Sequence, residues 1–438
     1  MGRAAKAFLG AAAAQRFRAY VEHLAHSLGH ADRREPLRGY LTGLVLPGER
    51  KSVEPMAALV APERVRQAHQ SLHHLVADAP WEDEAVLKAV REYALAAIHK
   101  RGPLEGWMVD DTGIPKKGQH SVGVARQYCG QLGKQDNCQV AVTLSVANQA
   151  ASLPIAYQLY LPEQWASDHP RRRQAGVPEE RGFLTKPDIA LLQITAAVEQ
   201  GVPAGVVLAD AAYGNDSKFR NGLEALGLQY ALGVQRTTTV WPAGSLPLAP
   251  QRYRGRGRPP KLLRRDAAHQ PLAVRELALR LSPAAYRTVT WREGSAGMMR
   301  SRFAAVRVRA AHRDYWRAVP NREQWLLIEW PKASTEPAKY WLANLPATTP
   351  LKALVRTAKL RWRIERDFLE LKQELGLNHF EGRSWRGFHH HATLCIAAYG
   401  FLVAERCAFS PAGHVRRQSV SLPRHFRPRG APLKAAAP

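Results

Sequence analysis

Residues Leu360 to Lys372 contain neither Gly nor Pro, and most of their side chains tolerate a helix well. The spacing predicts one helix over Leu351 to Leu375, stopped at Gly376. On it Arg361 and Glu365 share a face, and Lys372 lies two turns beyond Glu365 on the same face. Leu360, Ile364, Phe368 and Leu371 form the neighbouring apolar stripe that would seat the helix on a core. An Arg, a Glu and a Lys in one column suit phosphodiester chemistry, with the acid holding a metal and the bases holding phosphates. The same column also describes a solvated salt-bridge face, and spacing alone leaves both readings open.

Two further acidic blocks precede it. Val109-Asp110-Asp111-Thr112-Gly113 ends an apolar run, and Leu208-Ala209-Asp210-Ala211-Ala212-Tyr213-Gly214 follows another. Adjacent strand residues point to opposite faces, so one of Asp110 and Asp111 reaches a shared site with Asp210. Hard divalent ions want carboxylate oxygen. Two ions roughly 3.5–4 Å apart can activate an attacking oxygen and stabilise the leaving one.

Arg, three residues, Glu, six residues, Lys, preceded by these two blocks, resembles the signature of cut-and-paste DDE transposases of the insertion-sequence-four-like and insertion-sequence-701-like groups. The similarity runs from roughly residue 20 to residue 405. A Tyr usual three residues before the Arg is replaced by Ala358. The resemblance implies an α/β fold: an RNase H-like mixed sheet flanked by helices, an N-terminal helical domain, and a mostly β insertion before the last catalytic helix. It implies cleavage at transposon ends and transfer of 3′-OH ends into target DNA, with two Mg²⁺ (or Mn²⁺) ions. It implies a homodimer on DNA carrying terminal inverted repeats, in a bacterial cytoplasm and associated with the nucleoid. Carried onto this chain, the catalytic and metal-holding acids are Asp111, Asp210 and Glu365. Asp111 is preferred because it precedes Thr112, and Asp110 is the alternate. Asp367 and Glu370 are rivals for the third position. Arg361 and Lys372 would hold phosphates. A nuclease that cuts without joining, and a DNA-binding protein with a silent site, are the alternatives.

Charge bears on the partner. Lys and Arg number 63 against 37 Asp and Glu, a net +26, which a polyanion would offset. Nucleic acid comes first and an anionic membrane surface second. No apolar run approaches the roughly 18 residues of a spanning helix, so no membrane partner is expected. The four cysteines form no Cys-x-x-Cys pair, which fits buried thiols in a reducing compartment. His389-His390-His391 with Cys395 suggests packing or phosphate contact rather than a metal site.

The expected domains are a helical DNA-binding region (1–100), a first core part (101–236), a β-rich insertion (237–338), a second core part (339–408) and a basic disordered tail (409–438). Helices are expected over Gln15–Leu28, Ala61–Ala77, Glu82–His99, Asp188–Gln200, Ser217–Leu226 and Phe388–Glu405. A short first strand is expected over Trp107–Asp111, ended by Gly113 and Pro115. Lys116 and Lys117 form a basic turn after it, and both are candidate DNA contacts. In the insertion, Arg254, Arg256, Arg258 and Lys261 belong to a strip resembling an AT-hook, with Gly and Pro keeping the backbone extended and close to a groove floor. Five Trp residues (241, 291, 316, 325 and 330) fall in or beside the insertion, mostly as core.

Overall fold

The computed structural model describes residues 8–255, 258–294 and 297–409. The 409–438 tail is outside it except for Phe409, and so is Arg256 of the basic strip.

Helices come first, among them α1 (Ala11–Ala25), α2 (Arg34–Val45), α3 (Val53–Val60), α4 (Val65–Ala77) and α5 (Asp83–His99). Their apolar faces, among them Phe17, Leu41, Leu72 and Val90, bury into a large core shared with the last helix. Then come β1 (Gly106–Pro115), β2 (Ala125–Cys129), β3 (Lys134–Ala147), β4 (Ser152–Leu159), α6 (Glu163–Ala166), α7 (His169–Gln174) and α8 (Lys186–Glu199). Next are β5 (Val206–Ala209), α9 (Ala211–Gly214), α10 (Ser217–Ala225) and β6 (Tyr230–Val234). The following stretch holds β7 (Thr239–Pro242), β8 (Leu272–Ala273), α11 (Val274–Arg280), β9 (Arg287–Gly294), β10 (Gly297–Ala310) and β11 (Glu323–Trp330). The chain closes with β12 (Lys339–Ala343), α12 (Leu351–Lys359), α13 (Trp362–Gln373) and α14 (Trp385–Phe409).

The strands order β4–β3–β1–β5–β6 through the core, with β3 antiparallel to β1 and β4, and β1, β5 and β6 parallel. Three antiparallel strands continued by two parallel ones make the RNase H-like arrangement that the sequence suggested. The strands after β6 do not form a separate sheet. β12 pairs with β6 and β11, and β10, β7 and β8 extend the same sheet outward. Trp241 is buried within this extension, whereas Trp316 stands 61% exposed.

Three expectations need correction. β1 runs on through Gly113 to Pro115, because ladder pairing with β3 continues to Cys138. The expected 351–375 helix is two helices, with a break at Leu360–Arg361 that neither Gly nor Pro signals. Leu360 is buried there, so close to the β1 backbone that a Cβ on Gly106 would lie 2.9 Å from it. Packing on the sheet thus outweighs the local helical preference. Finally, α14 is long and apolar enough to span a bilayer by length and composition, with 72% of its most apolar window buried. Helices of the N-terminal region and strand β4 pack around α14, which is why most of it is apolar.

Gly376 ends the segment after α13 at φ 68°, where L side chains are strained, and a Cβ there would also meet Lys51 at 2.3 Å. His389, His390 and His391 are buried and bonded to backbone groups of Trp385 and Leu159, Trp81 and Gly376 respectively. They serve packing between α14 and its neighbours. The four cysteines are buried and free.

Candidate active site

The site grows out of strand alternation. On β1, Val109 belongs to the large core, while Met108 faces a second core with Leu360, Ile364 and Phe368 of the α12–α13 region. β5 alternates in step, with Ala209 in the first core and Leu208 in the second. Met108 pairs with Leu208 in parallel register, so two residues further on Asp110 falls beside Asp210. Both carboxylates therefore leave the sheet on the face that carries α13. Behind Asp210 the fit is tight: a Cβ on Gly214 would lie 1.9 Å from the Gly233 carbonyl. Small residues there let α9 lie against β6 and hold Asp210 in place.

Arg361 ties the acids together. Its Nη1 donates to Asp110 Oδ2 at 2.5 Å and its Nη2 to Glu365 Oε1 at 2.9 Å. Burial opposes its charge, yet the fields of Asp110, Glu365 and Asp210 hold it above its ordinary value. Burial pushes the Asp110 carboxyl up to about 7 against the pull of Arg361, and Asp210 and Asp111 push the same way. Asp210 Oδ1 accepts from the Ala212 N–H at 2.9 Å, capping α9. The Glu365 side chain is 61% exposed and open to a ligand.

The structure therefore brings together Asp110, Asp210, Glu365 and Arg361, and it sends Asp111 elsewhere. Asp111 Oδ2 lies 2.6 Å from Lys186 Nζ at the start of α8, on the opposite sheet face. This geometry reverses the preference for Asp111 over Asp110, because the register with β5 selects the face and the residue after Asp111 does not. The two rivals for the third acid are otherwise engaged. Asp367 is buried, its Oδ1 accepting from Ser152 and Tyr399. Glu370 pairs with Arg366 and Arg406. Ala358, in the position of the missing Tyr, packs in the second core.

Lys372 sits further along α13, its Nζ donating to Gly113 O at 2.7 Å and to Gln131 Oε1 at 3.2 Å. Lys116 Nζ donates to Phe380 O at 2.7 Å, and Lys117 is exposed. Burial lowers both Lys116 and Lys372 to about 8. Among the described residues neither donates to a carboxylate, and of the two only Lys116 has its charge supported by a nearby acid, Glu381. Arg254, Arg258 and Lys261 lie on an exposed segment away from any regular element. Sequence reasoning missed Lys186, whose tie to Asp111 depends on tertiary packing alone.

Among the described residues no group of three or more His, Cys, Asp or Glu side chains is gathered closely enough to hold a metal ion. The donor set still suits hard ions, being all carboxylate, and the Arg361 guanidinium supplies the positive charge that the acids require.

An RNase H-like sheet carrying acids at the ends of its first and fourth core strands, with a third acid on a helix across them, is the framework of metal-dependent nucleases acting on polynucleotides. The family model "DDE superfamily endonuclease" matches residues 23–298, and the chain belongs to that family. The match includes Asp110, Asp111 and Asp210 and stops before Glu365. The chain is also 32% identical over 194 residues to "Probable transposase for insertion sequence element IS701" of Microchaete diplosiphon. That alignment covers 44% of this chain and 47% of the relative, about half of each.

Proposed function

We propose that this protein is a transposase that cuts DNA at the ends of its own element and joins the freed 3′-OH ends to target DNA. The observation that carries the reading is Asp110 beside Asp210 on the sheet face where Glu365 stands, with Arg361 bonded to Asp110 and Glu365 and in the field of Asp210. Asp110, Asp210 and Glu365 would hold two Mg²⁺ or Mn²⁺ ions, which when bound supply Lewis-acid activation of the attacking oxygen. Arg361 would orient a terminal phosphate through its planar fork, and Lys372 would attract the next as a point charge. Lys116, Lys117, Arg254, Arg258 and Lys261 would extend the phosphate contacts, sequence-blind or in a narrow minor groove. Two ends must be brought together for joining, so a homodimer on DNA fits the reaction.

The test is incubation of the full chain with DNA carrying the repeats that flank its gene, with Mg²⁺, followed by analysis of both cleavage and joined products. Metal-dependent cutting with joined product is expected. Cutting alone would make the protein a nuclease without strand transfer. Binding without cutting would make it a catalytically silent DNA-binding protein.

A further inference from the structure

A cavity of about 600 Å³ opens between α3, α4 and the loop 380–384, well away from the acids. Two guanidinium groups, Arg171 and Arg383, line it together with His69, His73 and His120. The Arg171 guanidinium lies over the buried Trp165 ring, 3.6 Å from its centroid, and donates to Gln119 O. Arg383 makes no ion pair among the described residues. Of the two lining acids, Glu381 is already paired with Arg50, leaving Glu54. The cavity is therefore a cationic slot with one aromatic-backed guanidinium plane.

A line of cations leads to it from the acids. Lys372 reaches Gly113, three residues beyond Asp110 on β1. Lys116 follows at the end of that strand, and the carbonyl it holds belongs to Phe380, itself in the cavity wall. Six strand residues from Asp110 to Lys116 span about 20 Å. At about 600 Å³ the cavity has the size of a small-molecule site, which suits one splayed nucleotide and not a length of duplex. The Arg-rich C-terminal residues, which include no acid after Glu405, would be repelled from it.

We propose that this slot is a second nucleic-acid subsite, taking an unpaired single strand about 20 Å along β1 from the cutting site. Phosphates would sit on Arg383 and on the Arg171 edge, and a base would stack on the outer plane of Arg171. The proposal rests on the DNA-cutting reading for its geometry, but the slot can be tested without cutting.

The experiment measures anisotropy of a short fluorescent oligothymidylate with the full-length protein in EDTA. Arg383→Glu removes an exposed cation that holds nothing in the fold, and Arg171→Ala is the companion. Each should weaken binding about tenfold, and Arg383→Glu should lower the salt slope by about 0.7. Equal affinity and slope in Arg383→Glu would overturn the proposal. So would displacement of the strand from the wild type by polyglutamate at equal charge concentration, which would assign the slot to an acidic peptide. Loss of strand binding in Arg383→Glu, with no DNA cutting by wild type, would keep the slot and sink the transposase reading. Asp210-dependent cutting with unchanged strand binding would do the reverse.

Discussion

Replacing Arg361 by alanine should weaken the metal-free protein and strengthen its hold on divalent ions. Arg361 is the only cation bonded to Asp110 among the described residues, at 2.5 Å, and both side chains are largely withdrawn from water. At an effective dielectric of ~20 and ~4 Å between charge centres, the pair is worth ~4 kcal/mol. The Glu365 arm adds at most ~1 kcal/mol, because that carboxylate is exposed. Removing the guanidinium leaves Asp110 beside Asp210 and Asp111 with no counter-charge, a loss of about 3–5 kcal/mol. A divalent ion entering the wild-type site must displace or share those bonds, and in Arg361→Ala it meets no competitor. Recovering even 3 kcal/mol corresponds to roughly a hundredfold tighter binding. Thermal denaturation with and without Mn²⁺, together with a Mn²⁺ titration followed by electron paramagnetic resonance, reads both effects. A variant with wild-type melting and equal or weaker Mn²⁺ affinity would refute the role of Arg361 as resident counter-ion. Arg361→Lys should fall between the two, since an ammonium cannot bridge both acids in plane.

Other consequences follow from buried charge and close packing. Burial raises Asp367 to about 6, so its folded value exceeds the unfolded one, and stability falls as pH rises from about 4 to about 6. Asp367→Asn keeps an oxygen for Ser152 and Tyr399 and should gain about 1–3 kcal/mol at pH 8, measured by urea unfolding; a loss there would show that the charge is needed. His389, His390 and His391 are each lowered by burial to about 4, so their neutral forms support the fold fully above about 6.5. That support is lost as pH falls toward about 4, against the trend of Asp110 and Asp367, so the melting temperature of His390→Asn relative to wild type should rise from pH 8 to pH 5; a difference independent of pH would contradict it. Gly214→Ala forces a Cβ against the Gly233 carbonyl and should cost at least about 1–3 kcal/mol. It should also impair cutting by displacing Asp210, and wild-type melting and cutting would show that α9 can yield.

Much of the core was legible because strand alternation and buried runs are local signals. Met108 and Val109 announce a two-faced strand, and the apolar run into Asp210 announces β5. The choice between Asp110 and Asp111 was not legible. Alternation shows that they part, but only the Met108–Leu208 register and the packing of α13 decide which faces Glu365. The break at Leu360 was hidden for a similar reason, since its cause is the close approach of Gly106, distant in sequence. The continuity of the sheet from β6 through β12 to β11 also lay beyond local pattern, because it joins strands separated by about a hundred residues.

The measurement that bears most directly on the site compares Asp110→Asn and Asp111→Asn for Mg²⁺-dependent cutting of DNA carrying the element ends, each variant first shown to melt like the wild type. With Asp110, Asp210 and Glu365 as the working acids, Asp110→Asn should abolish cutting, while Asp111→Asn, losing only its tie to Lys186, should retain a measurable rate. Full activity in Asp110→Asn with none in Asp111→Asn would place the working carboxylate on the other face of β1.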